Sequence, residues 1–296
     1  MSRCHRALPA AGLLLALTAS LAADTTIDSA AKYAWAANTG WIDFAANTTH
    51  GVVAGGSFFS GHAWAANTGW INFGDGSPAN GQSYANDSAA DFGVNHDGTG
   101  NLSGLAWAAN TGWINFGWAS ASDPGRPRFD LQTGVFAGYA WAANTGWINL
   151  GTGLLATDSL HSPDTDTDEI ADAWEILHFG GLDTAASGTD SDDDGVPDTD
   201  EYTASTNPND TASYLKIASQ SFTTTPPGTH LVFGPTSPAR LYRIEYSNDL
   251  GISDPWTPSA AGTFSPDAGS VTQRTVTYPA SPKKFFRVVV VLPLSP

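Results

Sequence analysis

The chain has 296 residues, 12 Lys+Arg against 29 Asp+Glu, a formal net charge of −17 and 41% apolar residues. Such an acidic surface repels nucleic acid and anionic membranes and attracts cations, so neither of the first two is expected as a partner. The length and apolar fraction suit two or three modules with packed cores.

At the start, Arg3 and Arg6 precede an apolar run from Ala7 to Leu21, and Ser20-Leu21-Ala22 places small residues at the −3 and −1 positions of a cleavage site. Residues 1–22 therefore read as a secretory signal peptide cut near Ala22, and the protein is expected to be secreted, extracellular or on the cell surface. Cys4, the single cysteine, lies inside that segment. The mature chain would then have no disulfide, no thiolate metal site and no cysteine nucleophile. No later stretch is long enough to span a bilayer; Phe285–Leu292 is strand-length and carries Arg287.

Residues 23–153 contain one nonapeptide, AWAANTGWI, four times, at Ala34–Ile42, Ala63–Ile71, Ala106–Ile114 and Ala140–Ile148. The segments between copies vary in length, which suits a repeated structural unit with tolerant connections. Five residues before the first Trp of the last three copies stands Phe59, Leu102 or Phe136, and three before it Gly61, Gly104 or Gly138. Each unit reads as a β-hairpin or short meander, with strands over roughly Phe136–Ala142 and Trp147–Leu150 in the last copy. Ala-Asn-Thr-Gly suits a type I turn with its Gly left-handed. Pairing Ala143 with Trp147 would set Trp141 diagonally to Trp147, both on one face, with Ala and Ile on the other. Gly138 and Ala140 would let another layer approach closely. Whether the units close into a propeller or stack as an open array is left open.

Two readings of Trp35, Trp41, Trp64, Trp70, Trp107, Trp113, Trp141 and Trp147 follow. A soluble protein seldom exposes eight indoles, so the leading expectation is a core ladder stacked between neighbouring units. The other is a row of exposed platforms for sugar rings, with Asn72, Asn115 and Asn149 as hydrogen-bonding partners. The motif contains no Ser, Cys, His, Lys or Glu, and Asp43 replaces the Asn of the other copies, so no catalytic group is expected in it.

After a linker at 154–163, residues 164–210 are strongly acidic. DTDTDEIADAWE (Asp164–Glu175) and DSDDDGVPDTDE (Asp190–Glu201) both place Asp at positions 1, 3, 5 and 9 and Glu at 12. Alternate side chains of a tight loop converge on one cation, position 7 offers a carbonyl and the final Glu closes the shell. The ligands expected are Asp164, Asp166, Asp168, the Ile170 carbonyl, Asp172 and Glu175, then Asp190, Asp192, Asp194, the Val196 carbonyl, Asp198 and Glu201. About two Ca²⁺ ions are the expected cofactors. No Lys or Arg lies between Arg128 and Lys216 to neutralise this run. Helical spacing of Ile170, Ala173, Trp174 and Leu177 predicts a helix stopped by Gly180-Gly181, with Trp174 in the core of the module. Pro197 can begin a second helix, ended by Thr206-Asn207-Pro208.

The acidic segment resembles the thrombospondin type 3 and dockerin-like calcium repeats, DxDxDGxxDxxE, of modular secreted bacterial proteins. The second loop matches throughout, with Gly195 at position 6; the first departs from the pattern with Glu169 there. The resemblance implies calcium.

Residues 211–296 predict a β-sandwich from five strand-like segments: Tyr214–Phe222, Thr229–Gly234, Arg240–Asn248, Ser270–Pro279 and Lys283–Leu292. RLYRIEYS from Arg240, then Trp256, then FFRV from Phe285 resembles the immunoglobulin or fibronectin-type domains that end many such proteins. Tyr242, Tyr246 and Trp256 are expected in its core, and its basic residues are candidates to dock the acidic module.

The expected fold class is mainly β: hairpin repeats, a small calcium-binding loop-helix module and a C-terminal β-sandwich. The function expected first is a secreted, non-enzymatic, calcium-binding modular protein with a structural or surface-adhesive role. The alternatives are a polysaccharide-binding protein using the Trp/Asn hairpins and a polysaccharide-active hydrolase. His50, His62, His96, His161, His178 and His230 are scattered without a recognisable partner motif.

Overall fold

The computed structural model describes residues 24–224, 227–279 and 283–295. The expected signal peptide, with Cys4, lies outside the described residues. The described residues are mainly β, with two short helices between the N-terminal and C-terminal β parts.

Each nonapeptide forms one antiparallel hairpin. The strands are β1 (Ile27–Ala36) with β2 (Gly40–Asp43), β3 (His62–Ala65) with β4 (Gly69–Asn72), β5 (Leu102–Ala108) with β6 (Gly112–Asn115), and β7 (Tyr139–Ala142) with β8 (Gly146–Asn149). Successive hairpins also pair, and β8 returns to β1, so the units are neither propeller blades nor an open array. They close one eight-stranded antiparallel barrel.

The pairing is shifted by two residues from expectation, which keeps both indoles on one face. Ala142 pairs with Gly146, Trp141 with Trp147 and Ala140 with Ile148, so each indole pair is directly opposed. The cause is the position of the turn. Thr145 N–H donates to the Ala142 carbonyl at 3.3 Å, so the tight turn spans Ala-Ala-Asn-Thr, and left-handed Gly146 (φ 79°) opens the returning strand. At every junction between hairpins the pairing advances two residues: Asp43 faces Trp64, Asn72 faces Trp107, Asn115 faces Trp141 and Asn149 faces Trp35. Four such steps give a shear of eight over eight strands, a barrel whose interior holds only layers of side chains.

Strand alternation then decides what lies inside. The inward set is Ala34, Ala36, Ala63, Ala65, Ala106, Ala108, Ala140 and Ala142, then Ile42, Ile71, Ile114 and Ile148, all buried. Phe44, Phe73, Phe116 and Leu150 follow below them in the same core. The eight indoles face outward and are 38–50% exposed, so the core-ladder expectation fails. An interior sized for alanine cannot also take indoles.

The turn end is tied by a cyclic set of hydrogen bonds. Asn67 Nδ2 donates to Thr39 O (3.1 Å), Asn110 to Thr68 O (3.0 Å), Asn144 to Thr111 O (3.0 Å), and Asn38 to Thr145 O (3.1 Å). Each Asn of the motif thus reaches the preceding turn, and the last bond joins the first hairpin to the fourth.

At the opposite end the connections fold over the barrel. The strand expected over Phe136–Ala142 is broken at Gly138: Phe136–Ala137 pairs with Arg128–Phe129, and the chain then turns into β7. Gly61, Gly104 and Gly138 adopt φ of 82°, 81° and 82°, and an added Cβ would lie 2.1, 2.3 and 2.0 Å from the carbonyl oxygens of Gly51, Gly93 and Arg126. The expected close approach is therefore made by the connecting loops. The segment expected as a linker contributes a strand, β9 (Leu155–Thr157), which pairs with β1.

Helices α1 (Asp172–Phe179) and α2 (Asp198–Ala204) occupy the expected places, α1 ending at left-handed Gly180 and α2 following Pro197. Trp174 is half-buried, its ring 4.6 Å from His178 and 5.7 Å from Tyr202 of α2, so it joins the two helices. Leu177 is exposed.

The C-terminal part has two three-stranded antiparallel sheets. One is β10 (Lys216–Thr224), β11 (Pro227–Gly234) and β14 (Thr272–Thr277); the other is β13 (Thr257–Phe264), β12 (Leu241–Ser247) and β15 (Phe285–Val291). Leu231, Phe233 and Val276 from the first meet Tyr242 and Ile244 from the second in one core. Strand β13 lies outside the five expected segments, because its Ser, Ala and Gly residues carry little strand signal. Of the expected core aromatics, Tyr242 is fully buried while Tyr246 and Trp256 are half-buried.

Replacing Gly138 by Ala should cost ~3 kcal/mol or more, because strained φ and a backbone clash combine. Asn110→Ala should cost about 1 kcal/mol, one hydrogen bond of the cyclic set. Urea denaturation of the barrel measures both.

Candidate functional site

The two acidic loops share one backbone. Positions 4 and 6 are left-handed in both: Thr167 (φ 64°) and Glu169 (77°) in the first, Asp193 (61°) and Gly195 (93°) in the second. Glu169 thus takes the conformation that Gly195 adopts freely, at a cost of ~1–2 kcal/mol for a residue with a Cβ.

The carboxylates hold these turns from inside. Asp164 accepts the N–H groups of Thr167 (2.7 Å) and Glu169 (3.1 Å); Asp190 accepts those of Asp194 (3.2 Å) and Gly195 (2.8 Å). Ile170 N–H donates to Asp168 and Val196 N–H to Asp194, at 2.9 and 2.8 Å. The Ile170 side chain is buried and that of Val196 half-buried, which anchors both seventh positions. The ninth residues brace the loops: Asp172 accepts Thr165 N–H and Oγ1–H, and Asp198 accepts Ser191 N–H and Oγ1–H of Thr189.

Three groups of acidic oxygens converge within 4.8 Å: Asp164, Asp166 and Asp172; Asp166, Asp168 and Glu175; and Asp190, Asp192 and Asp194. Helix α1 carries Glu175 and α2 carries Glu201, and both residues are fully buried. Among the described residues, Asp168 Oδ2, both Glu175 oxygens, Asp192 Oδ2, Asp194 Oδ2 and Glu201 Oε2 are buried without a hydrogen-bond partner. Burial, reinforced by neighbouring Asp carboxylates, pushes Glu175 up to about 7. Glu201 is also pushed up to about 7 by burial and by Asp192, Asp194 and Asp198, although a bond from Thr206 opposes this. Buried acidic oxygens that lack donors fit a hard dication, which accepts oxygen ligands without needing a proton.

A second candidate surrounds the barrel. Within each hairpin the two indoles meet edge to face, with ring centroids 4.7–4.9 Å apart. The second indole of each pair also meets a further ring: Tyr33 at Trp41, His62 at Trp70, Phe92 at Trp113, and Trp118 at Trp147. Phe92 and Trp118 escape sequence reading because they come from the variable connections. The polar residue after each Ile shares the outward row. Asn72 Oδ1 accepts Gly74 N–H and Asn115 Oδ1 accepts Gly117 N–H, while Asp43 pairs with Lys32 at 2.8 Å.

The histidines do not assemble with the acids. His50, His62 and His161 line a groove with Asp75, Asp164 and Asp172, yet among the described residues every converging acidic or histidine triplet is made of loop acids alone. Buried His96 accepts Gly100 N–H at Nε2, so its proton is on Nδ1 and donates to Gly55 O at 3.0 Å; burial lowers its pKa. That residue bridges two connecting loops as a neutral imidazole.

Arg240 joins the sandwich to the acidic module. It is directed at the helix backbone: Nε donates to Thr203 O and Nη2 to Tyr202 O, both at 2.7 Å. A cation at these last carbonyls of α2 also complements the helix dipole.

A carboxyl whose folded pKa exceeds its unfolded value stabilises the fold while protonated. For Glu175 and Glu201 that contribution is complete below 4.5 and lost as the pH rises through about 7. In chelator, the urea midpoint should fall between pH 5 and pH 8, and Glu175→Gln with Glu201→Gln should remove much of that slope.

The chain matches no family model, no curated protein and no solved structure.

Proposed function

We propose that this is an exported, non-enzymatic modular protein in which two calcium ions clamp the acidic module and fix the barrel relative to the sandwich, in a structural or surface-adhesive role. The observation that carries the reading is the set of buried acidic oxygens without donors in two loops of equal length and equal backbone. Calcium accepts six to eight oxygen ligands in flexible geometry, whereas magnesium demands a smaller, regular octahedron and keeps its waters. Asp166, Asp168 and Glu175 would hold the first ion with Asp164; Asp190, Asp192, Asp194 and Glu201 would hold the second. Bound calcium supplies charge neutralisation; the chain's own part is to orient the carboxylates through their backbone bonds and to pack α1 on α2 through Trp174. The apolar run behind Arg3 and Arg6 supports export, and the motif's lack of Ser, Cys, His, Lys and Glu supports a role without catalysis.

The test is calorimetry and limited proteolysis of the full chain with and without chelator. Extracellular calcium modules bind at ~0.1–1 mM, so 10 mM Ca²⁺ should add about 1–3 kcal/mol per site and protect residues 164–210 from cleavage. Equal Mg²⁺ should do less, and Asp192→Ala should remove the contribution of the second loop. Unchanged unfolding and unchanged cleavage on chelation would show that calcium is not the clamp.

A further inference from the structure

The outward faces of the four hairpins make one surface repeated four times. Each repeat has an edge-to-face indole pair and, in the same outward row, a polar residue from the neighbouring hairpin: Asn149 beside Trp35, Asp43 beside Trp64, Asn72 beside Trp107, Asn115 beside Trp141. At roughly 100 Å² per half-exposed indole, the belt of four pairs shows in total on the order of 800 Å² of aromatic surface, arranged as paired rings and not as scattered single residues.

Three features select the occupant. First, the belt is uncharged in a chain of net charge −17: its single acid, Asp43, is neutralised by Lys32 at 2.8 Å. A neutral ligand therefore fits it better than an ionic one. Second, the Asn72 and Asn115 amides are oriented by their Oδ1 bonds to Gly74 and Gly117, and their Nδ2 groups have no partner among the described residues. A flat apolar ring beside a free amide donor matches a pyranose, whose C–H face stacks on an aromatic ring while its hydroxyls lie at the edge. It is a poor match to lipid tails, which leave a donor unpaired. Third, the four pairs point in different directions around a closed barrel, so a second copy of the chain cannot cover them all. A flexible polymer that passes around the barrel can.

We infer that the barrel carries four related sugar-binding sites for a neutral polysaccharide, each formed by one Trp pair and the polar side chain of the adjacent hairpin, which is Asn in three and the Lys32-paired Asp43 in the fourth. The inner parts of the four sites are alike, and the flanking ring differs: Tyr33, His62, Phe92 or Trp118. Binding strength comes from engaging several sites on one polymer, because each further site binds at high effective concentration. The assignment does not depend on which cation, if any, the acidic loops hold.

The test uses the full chain against insoluble cellulose, chitin and starch granules, with alginate and phosphatidylcholine vesicles as comparisons and light scattering for self-association. Retention on at least one neutral polysaccharide is expected, with indole fluorescence shielded from acrylamide when bound. Trp113→Ala alone should weaken retention several-fold. Combining Trp41→Ala, Trp70→Ala, Trp113→Ala and Trp147→Ala should reduce it about 100-fold or more, with the β circular-dichroism spectrum kept. If the fourfold variant does not fold, shielding in the unaltered chain decides the matter, since indoles that remain equally quenchable on the polysaccharide overturn the assignment. So does retention on none of the three, retention indifferent to the substitutions, or uptake by vesicles or self-association in place of polysaccharide binding.

Discussion

The narrowness of an eight-stranded barrel governs most of what this protein presents to its surroundings. With a shear of eight, the interior takes layers of four side chains, and the repeat fills them with alanine twice and isoleucine once. Because strand side chains alternate, the residues between those alanines must point away. Placing tryptophan there is thus not a free choice of surface. It follows from the same nonapeptide that makes the wall close.

Much of this was legible in the residues. The hairpins, the left-handed Gly, the shared face of each Trp pair and the opposite Ala/Ile face follow from alternation and turn chemistry. What could not be read locally was which face would be inside, since periodicity divides a strand into two faces without saying which one closes on itself. The size of the alanines contained the answer, but only once closure is assumed. The two-residue shift in pairing had a similar origin: Ala-Ala-Asn-Thr and Ala-Asn-Thr-Gly are both acceptable turns, and the choice rests on Asn reaching the preceding turn's carbonyl, a bond between hairpins. The acidic loops were legible in detail, because twelve-residue spacing is a local property. The bracing use of Asp172 and Asp198 was not, since it depends on Thr165, Thr189 and Ser191 folding back. Strand β13 escaped notice because packing, and not its own composition, makes it a strand.

The middle module is built against its own charge. Asp side chains are spent on backbone N–H groups, which makes the turns rigid but leaves other oxygens crowded and dry. Its mechanical links run both ways: Ile176 of α1 lies against Gly81 of a barrel connection, and Arg240 of the sandwich grips the end of α2 one residue after Glu201. A change in the second loop is therefore felt directly by the C-terminal sheets. Within the sandwich a similar economy holds for Glu245. Burial would raise its pKa, but bonds from Arg287 and Arg243 outweigh that and keep it below the usual carboxylate range.

The bond from Asn38 to Thr145 spans 107 residues, and the pairing of β1 with β8 spans a similar length. Until the fourth hairpin arrives, three hairpins form a curved sheet with two open edges and an unfilled apolar interior. Such edges invite pairing with whatever strand is nearest, and here the nearest is a hairpin of identical sequence, in this chain or in another. Four interchangeable pieces could close in the wrong order or across two molecules. The unequal connections act against this, since each meets its own hairpin at a glycine too close for any other residue. The repeats supply a wall of uniform bricks, and the irregular loops number them.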